Sequence, residues 1–146
     1  MLNLETIMST DLITTHPEAS LLDARSLMRS HNIHHLPVVN DRGVLVGLLT
    51  HTNVLAATDS ILRDEENRLD DKEILVEDIM VTKVATVDID ASIRDAALFL
   101  EKHRIGCLPV LKRGRLVGII TDTDFVAIAI NLLEQLEEGE PWDANS

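Results

Sequence analysis

Two short segments of the chain, GLLTHTNV and GIITDTDF, place a threonine three residues before a polar side chain. Thr50 precedes Asn53 in the first segment, and Thr121 precedes Asp124 in the second. At the start of a helix, a carboxylate can accept charge-assisted hydrogen bonds, while a threonine hydroxyl and free backbone N–H groups can bind anionic oxygens. The same spacing is typical of a capping box, in which the threonine is the N-cap residue. Ligand binding and helix capping are therefore both open for these segments.

The histidines and the single cysteine are further candidates for chemistry. His31, His34 and His35 lie close in sequence, as metal ligands often do. We expect His31 to end a helix, and His34 and His35 to alternate faces on a strand, so the three should not converge on an ion. Cys107 has no evident partner base and is predicted to be a small buried hydrophobe. We therefore predict no metal site.

The sequence shows no nucleophile and base in a catalytic pattern and no glycine-rich phosphate-binding loop, so we do not expect an enzyme. The net charge of −12 is concentrated at residues 59–78 and in the tail from residue 134, which leaves the remainder close to neutral. An anionic ligand would not be strongly repelled by that remainder. With three aromatic residues and no basic stripe, a nucleic-acid partner is not expected.

The apolar runs are too short to span a bilayer, and the acidic N-terminus does not resemble a signal peptide. We therefore expect no membrane partner and a cytoplasmic location. A single cysteine also excludes a disulfide within the chain, which fits a reducing compartment.

The sequence around the two threonine segments occurs as two similar copies in the chain. Ile7-Met8 recurs as Ile79-Met80, and the LPV at 36–38 recurs at 108–110, both at a spacing of 72 residues. The spacing then drops to 71, because VNDRG in the first copy is one residue longer than LKRG in the second. A hairpin turn tolerates such a change. The chain is therefore a tandem duplication.

Each copy has the same predicted elements. Ser20 and Ser92 are good N-caps for an amphipathic helix, two aliphatic runs joined by a glycine turn predict a hairpin, and a second helix follows from about residue 52 or 123. The few elements of one copy cannot cover both faces of its sheet. We therefore expect the two copies to pack on each other. The later stripe of Ile128, Leu132, Leu133 and Leu136 could cover the chain's own core or pair with a twin subunit.

The order IM, T-x-x-P-x-A-S-L, helix, LPV and G-x-x-T-x-x-D/N resembles the cystathionine-β-synthase (CBS) domain, and two copies in tandem resemble a Bateman module. The resemblance implies an α+β fold of two β-α-β-β-α repeats related by pseudo-twofold symmetry. The predicted division is repeat 1 at 5–58, an acidic helical linker at 59–76, repeat 2 at 77–132 and an acidic tail at 133–146.

The resemblance also implies a regulatory function. Such pairs often bind adenosine nucleotides in clefts between the repeats, where a carboxylate can accept hydrogen bonds from both ribose hydroxyls. We expect an adenosine-containing ligand (AMP, ADP or ATP, with S-adenosylmethionine or NAD as further candidates), a homodimer, and a signal passed to a separate effector protein. The alternative is a ligand-free dimerisation or adaptor module. Gly118 is expected to leave room for the ligand.

The resemblance implies two unequal clefts. The first would contain Thr121, Asp124, Leu12, Ile13, Thr14, Ile33, His34 and His35. The second would contain Thr50, Asn53, Val84, Ala85, Thr86, Ile105 and Gly106. We expect the second to be weaker, because Asn53 is uncharged and Gly106 offers no side chain where His34 stands in the first. Family members often carry a basic residue where this chain has Thr52 and Thr123, so a phosphate contact would come from His34, His35, Arg104 or a neighbouring subunit.

Overall fold

The computed structural model describes residues 2–63 and 73–139. The elements in chain order are α1 (Leu4–Ile7), α2 (Leu21–His31), β1 (His35–Val39), β2 (Leu45–Thr50), α3 (His51–Arg63), α4 (Val76–Ile79), β3 (Val87–Asp88), α5 (Ile93–His103), β4 (Cys107–Lys112), β5 (Arg115–Thr121) and α6 (Asp122–Gly139). This mixture of helices and small sheets in two similar halves confirms the predicted α+β fold.

The amphipathic helix of each copy begins where the sequence predicts. The side-chain oxygen of Ser20 accepts a hydrogen bond from the backbone of Asp23 at 3.1 Å, and α5 begins in the same way at Ser92. Both helices end at a histidine followed by a left-handed residue, Asn32 or Arg104. The histidines therefore lie where a positive charge complements the helix dipole.

Two small sheets carry the hairpins. β1 pairs antiparallel with β2, and β4 pairs antiparallel with β5 and parallel with β3. In the second hairpin, Arg113 and Gly114 both have positive φ and form a two-residue turn between the paired Lys112 and Arg115. In the first hairpin, the Asn40 side chain accepts hydrogen bonds from the loop backbone and holds a longer turn. The predicted one-residue difference therefore lies in the hairpin loops.

The two copies are interlocked, because each contributes a short helix to the other's core. Leu4 of α1 is fully buried against the second copy, and Val76 of α4 is fully buried against the first. The first core contains Leu21, Ala24, Met28, Leu36, Val38, Leu49, Val54 and Val76. The second contains Leu4, Ala96, Leu100, Leu108, Val110 and Ile120.

Two glycines allow this exchange. A Cβ at Gly118 would lie 2.8 Å from Cγ of Met8, and one at Gly47 would lie 3.0 Å from Cγ of Met80 and 3.1 Å from the carbonyl oxygen of Val81. Such distances are too short for a methyl group, so the methionines occupy space that any larger residue would fill. The space at Gly118, which we expected to face a ligand, is thus occupied by Met8.

The predicted linker and tail are only partly within the described residues. α3 extends to Arg63 and α4 begins at Val76, while residues 64–72 of the linker lie outside them. α6 continues through residue 139, and residues 140–146 of the tail also lie outside. Within residues 2–63 and 73–139, no helix has the length and apolar character needed to cross a membrane.

Candidate functional site

The two threonine segments form the starts of α3 and α6, and in both the threonine is hydrogen-bonded to the polar side chain three residues on. The backbone N–H and hydroxyl of Thr50 donate to Oδ1 of Asn53 at 3.1 and 2.7 Å, and the N–H of Asn53 donates to the Thr50 hydroxyl oxygen at 3.1 Å. At α6, Oδ2 of Asp124 accepts from the N–H of Thr121 at 2.8 Å and from its hydroxyl at 3.4 Å. A complete capping box therefore forms at α3, whereas at α6 the hydrogen bonds run only from Thr121 to the Asp124 carboxylate.

Capping leaves part of the Asp124 carboxylate available. Its Oδ1 accepts no hydrogen bond from any residue in the described ranges, and the side chain is only half-buried. One oxygen can thus cap the helix while the other contacts a ligand.

A cavity of about 330 Å³ lies between the two copies. It is lined by His35, Leu48, Thr50, Thr52, Val81, Lys83, Val84, Ala85, Ile105, Gly106 and Cys107. We refer to it as the inter-repeat cavity. Its walls come from the end of β2 and the start of α3 in the first copy, and from the segments before β3 and β4 in the second.

The inter-repeat cavity brings together most of the second predicted cleft. Five of its predicted residues line the cavity, namely Thr50, Val84, Ala85, Ile105 and Gly106. Asn53 and Thr86 are not in the lining, although Asn53 is bonded to Thr50. Sequence reasoning missed Lys83 and Thr52 as contributors, although both are neighbours of predicted residues in the chain.

His35 also lines the inter-repeat cavity, whereas the sequence assigned it to the other cleft. Its Nε2 lies 3.6 Å from the position that a Cβ at Gly106 would occupy. Burial lowers the pKa of His35 below its ordinary range; Asp122 opposes this effect, and His34 adds to it. At neutral pH the ring is therefore an uncharged donor and acceptor in the cavity wall.

His34 has a different environment from His35. Its exposed ring lies against the ring of His51, with centroids 5.1 Å apart. Its carbonyl oxygen accepts from the N–H of His51 at 2.8 Å, just as Gly106 accepts from Asp122 at 3.1 Å in the second copy. The ring pair of the first copy is therefore replaced by Gly106 and Asp122 in the second.

Arg104, the other predicted phosphate contact, lines a separate and more open cavity of about 500 Å³. This cavity lies between α5 and the start of α6 and shares only Ile105 and Gly106 with the inter-repeat cavity.

The remaining residues of the first predicted cleft surround the first core and the start of α6. Residues 12–14 lie in an irregular segment that leads into Thr15, which pairs with Val38. Ile13 and Ile33 pack against the first core. Within the described ranges, no hydrogen bond joins Thr121 or Asp124 to residues 12–14.

Cys107 is buried at the seam between the copies, with 4% of its surface exposed. Burial raises the pKa of its thiol to about 12, and the charges of Asp122 and Asp124 add to this effect. The thiol is therefore protonated at neutral pH and a poor nucleophile. Within residues 2–63 and 73–139, no three His, Cys, Asp or Glu residues are grouped to hold a metal ion.

The chain belongs to the CBS domain family, whose model matches residues 4–60 and 76–131. It is 33% identical over 132 residues to a CBS domain-containing protein of Dictyostelium discoideum, covering 88% of this chain and 91% of that protein.

Two solved structures of similar proteins contain adenosine-based ligands. The CBS domain pair of protein MJ0100, in complex with 5′-methylthioadenosine and S-adenosyl-L-methionine, is 28% identical with a TM-score of 0.77, and the match covers 90% of this chain and 98% of that one. CBSX2 in complex with AMP is 26% identical with a TM-score of 0.77, covering 91% and 99%.

Proposed function

We propose that this protein is a regulatory module that binds an adenosine-containing ligand in the inter-repeat cavity. The observation that carries the proposal is a cavity of about 330 Å³ whose walls come from both copies. This volume lies within the roughly 300–1,000 Å³ range of small-molecule sites. The adenosine ligands of MJ0100 and CBSX2 support the same ligand class.

A ligand in this cavity can act as a regulator because it contacts both copies at once. Thr50 and Thr52 belong to the first copy, whereas Val84 and Gly106 belong to the second. If the two walls can adopt two relative arrangements, a ligand shifts the equilibrium toward the arrangement that it binds more tightly. The size of that shift is set by the difference in its affinity for the two arrangements. We propose that a separate effector protein recognises this change. We propose a regulatory role and not a catalytic one; the Cys107 thiol at the cavity, whose pKa burial raises to about 12, is a poor nucleophile at neutral pH.

The duplication supplies a matched pair of variants that tests the site. Thr52 lines the cavity and is exposed, so Thr52→Trp should obstruct it at little cost in stability. Thr123 occupies the equivalent exposed position at the start of α6, so Thr123→Trp is the control. Titration calorimetry with AMP, ADP, ATP, NAD and S-adenosylmethionine, with GTP as a base control, should show binding of at least one adenosine ligand.

We expect Thr52→Trp to abolish that binding and Thr123→Trp to retain it. The reverse result would assign the ligand to the cleft beside Asp124, which the sequence favoured for its carboxylate. Absence of binding by every adenosine compound to the unmodified protein would contradict the proposed function and leave the adaptor alternative.

The adaptor alternative rests on the exposed apolar surface of α6. Five of its side chains are at least half exposed: Val126, Ile130, Leu132, Leu133 and Leu136. A surface of this kind indicates an interface, and we propose that it pairs with a second copy of the chain. A dimer is compatible with either function, so only the ligand titration separates them.

A further inference from the structure

The inter-repeat cavity carries a positive charge in its lining, although the chain as a whole is acidic. Lys83 is its one charged lining residue at neutral pH, because His35 is held neutral by burial. No carboxylate occurs among the described residues that line the cavity. Asp122 lies just beyond the lining, since its Oδ2 is 3.5 Å from the position that a Cβ at Gly106 would occupy. At Lys83, the cavity favours an anionic group over a cationic one.

Comparison of the two copies shows that this charge is local to one cleft. Lys83 lies 72 residues after Asp11, so the equivalent position of the other cleft carries an acid. Asn53 is likewise replaced there by Asp124. Both differences remove negative charge from this cleft, although only Lys83 is in the described lining of the cavity. The sequence-based ranking considered only the second of them.

The start of α3 adds one free hydrogen-bond donor to the part of the cavity that the first copy forms. The N–H of His51 donates to the carbonyl oxygen of His34, and that of Asn53 donates to the Thr50 hydroxyl oxygen. The N–H of Thr52, between them, has no acceptor among the described residues, and Thr52 lines the cavity. A free N–H group at the start of a helix is suited to an anionic oxygen.

We propose that Lys83 and Thr52 bind a phosphate group of the ligand, so that the inter-repeat cavity selects phosphorylated adenosine compounds over adenosine and over S-adenosylmethionine. This inference rests on the proposed function. In this arrangement, a lysine from the second copy supplies the positive charge that family members often carry at the position of Thr52. A ligand bound in this way connects the two copies through its phosphate as well as through its base.

The size of the effect follows from the exposure of Lys83. Hydrogen bonds to charged groups change affinity by roughly tenfold or more, and an exposed lysine belongs at the lower end. AMP should therefore bind about tenfold more tightly than adenosine. The difference should shrink as salt rises, because exposed charges are screened.

Titration calorimetry with AMP and adenosine tests the inference on three proteins: the unmodified chain, Lys83→Met, and the control Lys112→Met. Lys112 is also an exposed lysine; it lies at the far end of β4 and does not line the cavity. We expect Lys83→Met to bind AMP only as tightly as adenosine, with adenosine affinity unchanged. Lys112→Met should keep the full difference.

Equal affinity of AMP and adenosine for the unmodified chain would overturn the phosphate contact while leaving the proposed function intact. The same holds if Lys83→Met weakens both compounds equally. If neither compound binds the unmodified chain, the proposed function fails, and the inference fails with it.

Discussion

Gly47 provides a test of how the two copies are joined, through the substitution Gly47→Ala. The added Cβ would lie 3.0 Å from Cγ of Met80 and 3.1 Å from the carbonyl oxygen of Val81, where ordinary contacts begin at 3.4 Å. The methionine side chain can move aside. The Val81 backbone cannot move easily, because its N–H and carbonyl are both bonded to Leu48 at 2.9 Å.

We therefore expect Gly47→Ala to cost about 1–3 kcal/mol of unfolding free energy, as overpacking typically does. For a chain of this length that corresponds to a fall in Tm of roughly 3–10 °C by circular dichroism. Gly118→Ala should cost less, because the three atoms nearest to its Cβ all belong to the flexible side chain of Met8. Gly139→Ala is the control, since a Cβ there meets no atom within 4 Å.

Val81 also lines the inter-repeat cavity, so Gly47→Ala should weaken ligand binding more than Gly118→Ala does. The reasoning is refuted if Gly47→Ala melts at the temperature of the unmodified protein, or if Gly118→Ala is the less stable of the two.

Three further predictions concern the site and the assembly. By calorimetry, Asn53→Asp should tighten AMP binding about tenfold, because a carboxylate accepts hydrogen bonds from both ribose hydroxyls. Asp124→Ala should leave the affinity for AMP unchanged. The opposite pattern would place the ligand beside Asp124. The free energy of unfolding should fall as the pH drops below about 6.5, because His35 takes up a proton more readily when unfolded. His35→Asn should lessen this fall in denaturant titrations, and an unchanged slope would count against it. Light scattering should give a dimer, and Leu133→Glu a monomer; a monomeric parent protein would contradict the role assigned to α6.

Local signals in the sequence predicted the elements of the fold well. The N-caps at Ser20 and Ser92 and the hairpins around Gly43 and Gly114 depend on neighbouring residues, so each can be read from its own segment. The exchange of α1 and α4 between the copies could not be predicted in this way. Leu4 and Val76 occupy equivalent positions in the two repeats, and the same pattern of apolar residues surrounds each of them. That pattern does not show whether the short helix packs against the sheet of its own repeat or against the sheet of the other repeat.

The site was only partly predictable for a similar reason. The resemblance identified Thr50, Val84 and Gly106 as members of one cleft, and the structure brings them together. The resemblance placed His35 in the other cleft. Alternation on a strand indicates that His34 and His35 face opposite ways, but it does not show which cavity each side chain meets. Lys83 was missed because no motif in its own segment marks it, and its place in the cavity lining depends on packing across the copies.

A crystal structure of the protein grown with AMP would test the central claim most directly. The account predicts density for one AMP in the inter-repeat cavity, with the ribose beside Thr50, the phosphate beside Lys83 and Thr52, and both copies in contact with the ligand. An inter-repeat cavity without AMP at saturating concentration, or AMP bound only beside Asp124, would contradict it.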